Sequence, residues 1–267
     1  LEVIKTADFG VYLDRKEERE IFLPTRYVPE NCVPGDLLNV FLYLDNEERL
    51  IATTLTPLVQ VGEFACLEVA WVNEFGAFLN WGLMKDLFVP FREQKMKMQV
   101  GKSYVVHAHI DEESYRIVAS AKIERYLSKE TPTYQAGAEV DILIWQKTDL
   151  GFKAIIDQQF PGLLYDSEIF QSLRTGMTLK AFVKQVRPDG KIDLILQKPG
   201  AAKVDDFASS LLDYIKEHGG AAQLNDKTPA DDIYQIFGVS KKTFKKAVGD
   251  LYKKHLIVLT DNGLKLA

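Results

Sequence analysis

Over the first 200 residues, apolar positions occur in short runs separated by turn residues. Between residues 65 and 120, five runs occur, at 65–72, 76–79, 87–89, 104–110 and 115–120. Short runs rich in β-branched and aromatic residues, bounded by Gly, Pro, Asn and Asp, are typical of β-strands. Five strands in this order, with a longer gap between the third and fourth, predict a small β-barrel.

This pattern occurs three times along the chain. Residues 1–10 match residues 67–76 without a gap, and residues 142–151 form a weaker copy. Each copy ends in a glycine, followed after 25 residues by a second glycine and after 16 more by an isoleucine: Gly10, Gly35 and Ile51; Gly76, Gly101 and Ile117; Gly151, Gly176 and Ile192. We therefore predict three tandem five-stranded barrels of the OB type, at 1–58, 59–133 and 134–200, the third divergent.

After Lys198-Pro199-Gly200 the periodicity becomes helical. Apolar residues at helical spacing predict helices over 205–218, from residue 228, and over 241–255, with Gly238-Val239-Ser240 as a tight connector. Two apolar runs then flank Thr260-Asp261-Asn262-Gly263, a hairpin turn signal. Three helices and a terminal hairpin resemble a winged helix, so residues 201–267 are predicted to form one. The fold class is mainly β with an α+β C-terminal domain.

Composition narrows the range of functions. The chain is 46% hydrophobic and has no apolar run near the ~18 residues that span a membrane, so no membrane partner is expected. Cys32 and Cys66 form neither a disulfide framework nor a zinc motif, and no signal peptide is visible, which favours the cytoplasm. Because the sequence begins inside a predicted strand, we expect either a missing segment before Leu1 or a trimmed start.

Motifs of catalysis and of cofactor binding are missing from the sequence. It has no phosphate-binding loop, dinucleotide fingerprint or nucleophile elbow, so neither an enzyme nor a cofactor is expected. His107 and His109 share one face of a strand, which is the spacing of two metal ligands. No Cys or third His lies nearby in sequence, and we therefore interpret them as ordinary strand residues.

The second repeat contains residues that resemble the S1 RNA-binding module. These are Phe75-Gly76-Ala77-Phe78-Leu79, a later glycine, Asp111 and Arg116-Ile117-Val118-Ala119-Ser120. In that family two aromatics, a histidine, an Asp and an Arg face RNA. The resemblance therefore implies RNA contact by Phe75, Phe78, Asp111 and Arg116, and in the first repeat by Phe9, Tyr12, Asp45 and Arg49. Both repeats lack the histidine, whose position falls near Pro24 or Val28 and near Val89 or Pro90. In the third repeat, Leu150 and Lys153 replace the aromatics.

Each of these assignments has a purely structural alternative. An outward ring stacks on any base and contributes ~1–3 kcal/mol per base. Phenylalanine in a small domain is more often buried, however, and residues three apart on a strand share a face only if the glycine bends the chain. The Asp45–Arg49 and Asp111–Arg116 pairs are interpreted equally well as salt bridges across a turn.

Charge rises along the chain. Residues 1–58 carry a net charge of −5, residues 59–133 −1, residues 134–200 0 and residues 201–267 +1. In the third barrel Lys147, Lys153, Lys180, Lys184, Arg187 and Lys191 are candidate phosphate contacts. The third helix carries six lysines against one acid, Asp250, and Lys241, Lys242, Lys245 and Lys246 are predicted to contact phosphate. A solvated helix face and a protein-docking face remain alternatives.

The order of the domains, three S1-like units and then a winged helix, resembles the conserved virulence factor B family over essentially the whole chain. That resemblance implies a cytoplasmic protein that influences gene expression through RNA. We predict single-stranded RNA as the partner, held by aromatic stacking on the barrels and by lysine–phosphate contacts. The alternatives are a DNA-binding transcription regulator that uses the winged helix, and a protein-interaction adaptor. The sequence indicates neither an RNA target nor an oligomeric state.

Overall fold

The computed structural model describes residues 1–16, 19–45, 47–169, 171–197, 204–260 and 263–267, of which 204–206 are described by their backbone alone. The chain divides into two compact units, Leu1–Leu127 and Ser128–Ala267. The first unit holds two barrels. The second holds the third barrel and the helical domain. The linker 198–200 and the turn residues Asp261 and Asn262 lie outside the described residues.

The first barrel (barrel 1) is a curled five-stranded sheet. Its strands follow the order β1-β2-β3-β5-β4, namely β1 (Val3–Ala7), β2 (Gly10–Leu13), β3 (Ile21–Pro24), β4 (Phe41–Leu44) and β5 (Leu50–Thr53). The edge of β1 pairs with the chain just before β4: Val3 N donates to Asp36 O at 2.9 Å, and Gly35 N donates to Val3 O at 2.7 Å. Alternating residues such as Leu13, Ile21 and Leu23 fill the interior.

The second barrel (barrel 2) is closed. Its strands are β6 (Phe64–Val72), β7 (Gly76–Leu79), β8 (Leu87–Pro90), β9 (Ser103–Ile110) and β10 (Ile117–Ser120), in the order β10-β8-β7-β6-β9. Gly76 begins β7 because the neighbouring strand lies too close for a side chain: an added Cβ would lie 2.3 Å from Val89 O. From there Ala77 and Leu79 are buried and Phe78 faces outward.

Barrels 1 and 2 share part of their cores. Tyr43 and Ile51 of barrel 1 belong to the same buried cluster as Trp81 of barrel 2. Lys85 Nζ donates to the carbonyl oxygens of Leu44 at 3.0 Å and Asp45 at 2.7 Å. Buried apolar contacts and charged hydrogen bonds therefore join the two barrels into one body.

The third barrel (barrel 3) repeats the closed topology in the second unit. Its strands are β11 (Glu139–Thr148), β12 (Gly151–Ile156), β13 (Phe160–Tyr165), β14 (Thr178–Val186) and β15 (Ile192–Ile195). Gly151 makes the same close approach as Gly76, since an added Cβ would lie 1.9 Å from Leu164 O. Register shifts at matching places in β6 and β11, between Val69 and Trp71 and between Ile144 and Gln146, mark β-bulges.

The C-terminal domain packs three helices on a small sheet. Its elements are α1 (Val204–Glu217), β16 (Ala221–Ala222), α2 (Ala230–Phe237), α3 (Lys241–Lys253), β17 (Ile257–Thr260) and β18 (Gly263–Leu266), with sheet order β16-β18-β17. Ser240 caps α3 by accepting a hydrogen bond from Thr243 N at 3.1 Å. Leu211, Ile233 and Phe244 lie in the core. The two-residue strand β16 had no signal in the sequence.

The predicted fold class is confirmed: three tandem OB-type units of five strands are followed by a winged helix. Within the described residues, no helix is long and apolar enough to cross a membrane.

Candidate nucleic-acid interface

An aromatic column runs across the outer face of barrel 2. Trp71, Phe78 and Phe88 lie opposite one another on β6, β7 and β8. The rings of Trp71 and Phe78 are parallel within 3°, with centroids 3.6 Å apart, and Phe88 lies 4.8 Å from Phe78. Because Trp71 covers one face of Phe78 and is itself 44% exposed, the outermost ring of the column is Trp71.

The two predicted rings that precede the repeated glycines point into solvent. Phe9 is 80% exposed and Phe75 is 65% exposed, so neither is a core residue. Asn73 holds the hairpin tip of barrel 2, since its Oδ1 accepts hydrogen bonds from the backbone N–H groups of Phe75 and Gly76. Tyr12 of barrel 1 is half-buried and partly covered, with Lys5 Nζ 4.5 Å from its ring centroid.

The predicted Asp–Arg pairs differ between the two barrels. In barrel 1 the salt-bridge interpretation holds: Arg49 Nε and Nη2 donate to Asp45 Oδ2 at 2.9 and 2.8 Å. Burial opposes ionisation of the Asp45 carboxyl, but hydrogen bonds from Arg49 outweigh it and lower the pKa.

In barrel 2 the alternative salt bridge between Asp111 and Arg116 does not form. Arg92 Nη2 contacts Asp111 Oδ1 at 2.8 Å, while Arg116 is paired with Glu48 of barrel 1. Hydrogen bonding from Ser114 lowers the pKa of Asp111, and Arg92 adds to the effect. The salt-bridge interpretation of Asp111 and Arg116 is therefore wrong, because the loop of barrel 2 turns Arg116 toward the neighbouring barrel.

A groove of about 970 Å³ lies in the first unit, between barrels 1 and 2. Barrel 2 contributes Phe75, Phe78 and Phe88 to its lining, and barrel 1 contributes Phe41 and Leu44. Barrel 2 also contributes the polar residues Lys85, Asp86, Tyr115 and Arg116. The side chain of Tyr115 is 79% exposed. Such a concave aromatic surface is suited to flat, apolar ligand faces with polar edges.

Several of these residues were missed from the sequence: Trp71, Asp86, Phe88 and Tyr115. Trp71 could have been located from the sequence. The gapless match of the repeats aligns it with Lys5 of barrel 1, and Lys5 lies opposite the predicted Tyr12. The other three depend on strand pairing across the barrel and on the position of barrel 1.

Barrel 3 presents a different outer face. The positions that correspond to the aromatic column hold Gln146, Lys153 and Leu163. Leu150 is 63% exposed at the hairpin tip, and Lys153 Nζ lies 5.0 Å from the centroid of the Trp145 ring. A base therefore finds no aromatic column on this barrel to stack upon.

The candidate cations of barrel 3 are largely neutralised by acids of the same barrel. The pairs with resolved distances are Lys180–Asp141 at 2.8 Å, Lys184–Glu168 at 2.6 Å, Arg187–Asp193 at 2.8 Å and Lys191–Asp189 at 2.9 Å, and Lys147 is paired with Asp166. Because five of the six candidate cations already have a carboxylate partner, the barrel is a weaker phosphate track than its lysines alone indicate.

The lysines on α3 are placed differently. Lys242, Lys245 and Lys246 are exposed and Lys241 is half-buried. Within the part of the chain that the structure describes, none of the four forms an ion pair with an acid. These unneutralised cations on one helix face are the strongest candidates for phosphate contact.

Comparison with known proteins adds independent evidence. Residues 209–266 match the family model described as a CvfB-like winged helix domain, and residues 1–55 match the S1 domain model. The conserved virulence factor B of Staphylococcus aureus is 22% identical over 233 residues, which is 84% of this chain and 77% of that protein. These matches together support the conserved virulence factor B family for this chain. The resemblance seen in the sequence is thus confirmed.

One further curated protein and one solved structure also align with most of this chain. The uncharacterized protein YitL of Bacillus subtilis is 29% identical over 264 residues, 95% of this chain and 87% of that protein. A crystal structure from Streptococcus pneumoniae, described as a multidomain protein with nucleic acid binding domains, aligns over 100% of this chain and 96% of that one, with 24% identity and a TM-score of 0.44. The S1 match makes nucleic-acid binding the function class of this chain.

Proposed function

We propose that this chain binds single-stranded RNA on the outer aromatic surface of barrel 2, and that it is a non-catalytic regulator of gene expression in the cytoplasm. The observation that carries the proposal is the Trp71–Phe78 stack, whose exposed outer ring lies beside the groove of the first unit. Unpaired bases offer a flat π-face to such a ring, whereas the bases of a duplex are already stacked on one another.

The lysines of α3 supply a second, electrostatic contribution. Their charge attracts any nucleic-acid backbone and gives no base specificity by itself. Binding to the aromatic surface and binding to the lysines therefore differ in salt dependence. Stacking releases few counterions, while each neutralised phosphate steepens the loss of affinity with added salt.

A DNA-binding regulator is the second candidate, favoured by the same lysines on α3. In winged helices the third helix commonly enters a groove of duplex DNA. On this alternative, the barrels contribute little to affinity, and duplex DNA is preferred over single-stranded RNA.

A salt titration distinguishes the two candidates. Fluorescence anisotropy of labelled single-stranded RNA and of duplex DNA of equal length, at several salt concentrations, gives both affinity and slope. We expect tighter binding of the RNA, with affinity lost on Trp71→Ala substitution. Preference for duplex DNA, together with no effect of Trp71→Ala, would instead support the DNA-binding candidate. Binding of neither ligand contradicts both.

A further inference from the structure

The groove of the first unit holds a carboxylate beside its aromatic surface. Asp86 lies just before β8 and lines the groove together with Phe78 and Phe88. Its Oδ2 accepts a hydrogen bond from the indole N–H of Trp71 at 2.8 Å. Among the described residues nothing pairs with its other oxygen, Oδ1. Asp86 is therefore held in place by one oxygen while the second remains available to a ligand.

In barrel 1 the carboxylate at the position of Asp86 is neutralised by an ion pair. Lys5 and Glu20 occupy the positions in barrel 1 that Trp71 and Asp86 occupy in barrel 2, and they form an ion pair. In barrel 2 the partner is an indole, which is neutral and donates a single hydrogen bond. Among the described residues no cation forms an ion pair with Asp86, whose carboxylate lies beside a surface suited to flat rings.

We propose that Asp86 is a specificity-determining residue of this groove and that it favours nucleobases with an exocyclic amino group, namely cytosine, adenine and guanine, over uracil. The inference rests on the proposed function, because it assumes that unpaired RNA occupies the aromatic surface. It adds the chemical class of base that the surface selects.

The selection follows from hydrogen-bond chemistry. A carboxylate only accepts hydrogen bonds, and a bond from an amino group to an ionised acceptor is among the stronger kinds. Acidic side chains accept from the amino group of cytosine in known nucleic-acid complexes. Uracil has no amino group, and its one ring N–H lies between two carbonyl oxygens that repel a carboxylate.

The remaining groove residues fit an unpaired base. Lys85 places a cation next to Asp86 in sequence, and the carbonyl oxygens of Leu44 and Asp45 fix its ammonium group. The volume of about 970 Å³ lies at the upper end of the ~300–1,000 Å³ found for small-molecule sites, which accommodates a short unpaired segment. Acceptor, cation and aromatic walls together match the edge and the face of a base.

The test compares homopolymeric RNAs of equal length on the full chain. Anisotropy of labelled oligo(C), oligo(A) and oligo(U) gives three dissociation constants. We expect the wild-type protein to bind oligo(C) and oligo(A) about tenfold more tightly than oligo(U). Asp86→Asn should bring the three affinities to within about twofold of each other, because its amide donates as well as accepts.

The matched control is Glu74→Gln. It removes the same charge from the exposed hairpin next to Phe75, at a residue that does not line the groove. This variant should keep the preference. Melting curves check that both variants fold. Asp86→Ala provides a second variant at the site, and its effect is expressed as the ratio of its affinities for oligo(C) and oligo(U).

The outcomes separate the inference from the proposed function. Tight binding of all three RNAs by the wild type with no preference overturns the inference alone. A preference that persists in both Asp86 variants overturns the assignment to Asp86. No binding of any oligomer overturns the proposed function and the inference with it.

Discussion

Barrels 2 and 3 have the same strand topology, but the side chains on their outer faces differ in chemistry. Both are closed, both carry a bulge at the same place in the first strand, and both begin the second strand with a glycine forced by a close approach. The outer column is aromatic in barrel 2, while barrel 3 has Gln146, Lys153 and Leu163 there. Packing constrains the interior positions, but the outward positions of the same strands vary freely.

This difference is the reason for placing the proposed RNA contact on barrel 2. Barrel 2 leaves a ring and a carboxylate available to a ligand, whereas barrel 3 pairs its cations with its own acids. A shared fold therefore does not imply a shared role. We expect barrel 3 to act as a structural spacer with little RNA affinity of its own.

The largest effect is expected from removing the outer ring of the column. Trp71→Ala should weaken binding of single-stranded RNA by about 1–3 kcal/mol, roughly 5- to 150-fold, because one stacked base loses its platform. Anisotropy measures the loss. The matched variant in barrel 3, Gln146→Ala, should change affinity less than twofold. Equal losses in the two variants would remove the distinction between the barrels.

A second difference between the barrels is a buried histidine. His107 of barrel 2 is 7% exposed and packs against the Tyr126 ring at 4.1 Å, and burial, followed by the proximity of His109, lowers its pKa to about 4. Barrel 3 has Phe182 six residues after its second glycine, where barrel 2 has His107. Since the unfolded chain takes up the proton near pH 6.5, stability falls as the pH drops from there toward 4.

We therefore expect acidification to destabilise barrel 2 selectively. Lowering the pH from 7 to 5 should reduce the free energy of unfolding of barrel 2 by up to about 2 kcal/mol. Hydrogen exchange read by mass spectrometry, corrected for the intrinsic pH dependence of exchange, follows peptides of β9 and β14 in the full chain. His107→Phe should abolish the difference in acid sensitivity between the peptides of β9 and those of β14. An unchanged pH response in that variant means that another group is responsible.

Sequence reasoning was most successful where spacing alone decides the structure. The recurring glycine intervals predict the three barrels, and the residue before each glycine is exposed at Phe9, Phe75 and Leu150. Trp71 was missed because a bulge shifts β6 by one residue and so decides which side chain faces Phe78. The partner of Arg116 was also missed, since Glu48 belongs to another barrel. Such long-range pairings leave no local pattern.

A smaller effect is expected from the lysines of α3, which form no ion pair within the described residues. The triple variant Lys242→Gln, Lys245→Gln and Lys246→Gln should lower RNA affinity by about 1 kcal/mol, roughly fivefold, because phosphate contacts are lost. Its log–log salt slope should fall by about 0.7 for each lost phosphate contact with a single strand. Affinities at several salt concentrations give the slope. A slope unchanged from wild type means that this helix face does not contact RNA.

The smallest effect is expected from the paired lysines of barrel 3. Lys180→Gln, Lys184→Gln and Lys191→Gln remove as many charges as the α3 variant, but each lysine already has a carboxylate partner. Exposed pairs of this kind contribute about 0–1 kcal/mol to stability. RNA affinity and salt slope should both stay near wild type. A drop as large as that of the α3 variant would place barrel 3 on the RNA path.

Photocrosslinking tests the central claim most directly. The full chain is irradiated with bound single-stranded RNA, and the modified peptides are identified by mass spectrometry. We predict nucleotide adducts on the peptides that carry Trp71, Phe75 and Phe88 of barrel 2, reduced in the Trp71→Ala variant. Adducts confined to barrel 3 or to the winged helix would contradict the proposal that barrel 2 holds the RNA.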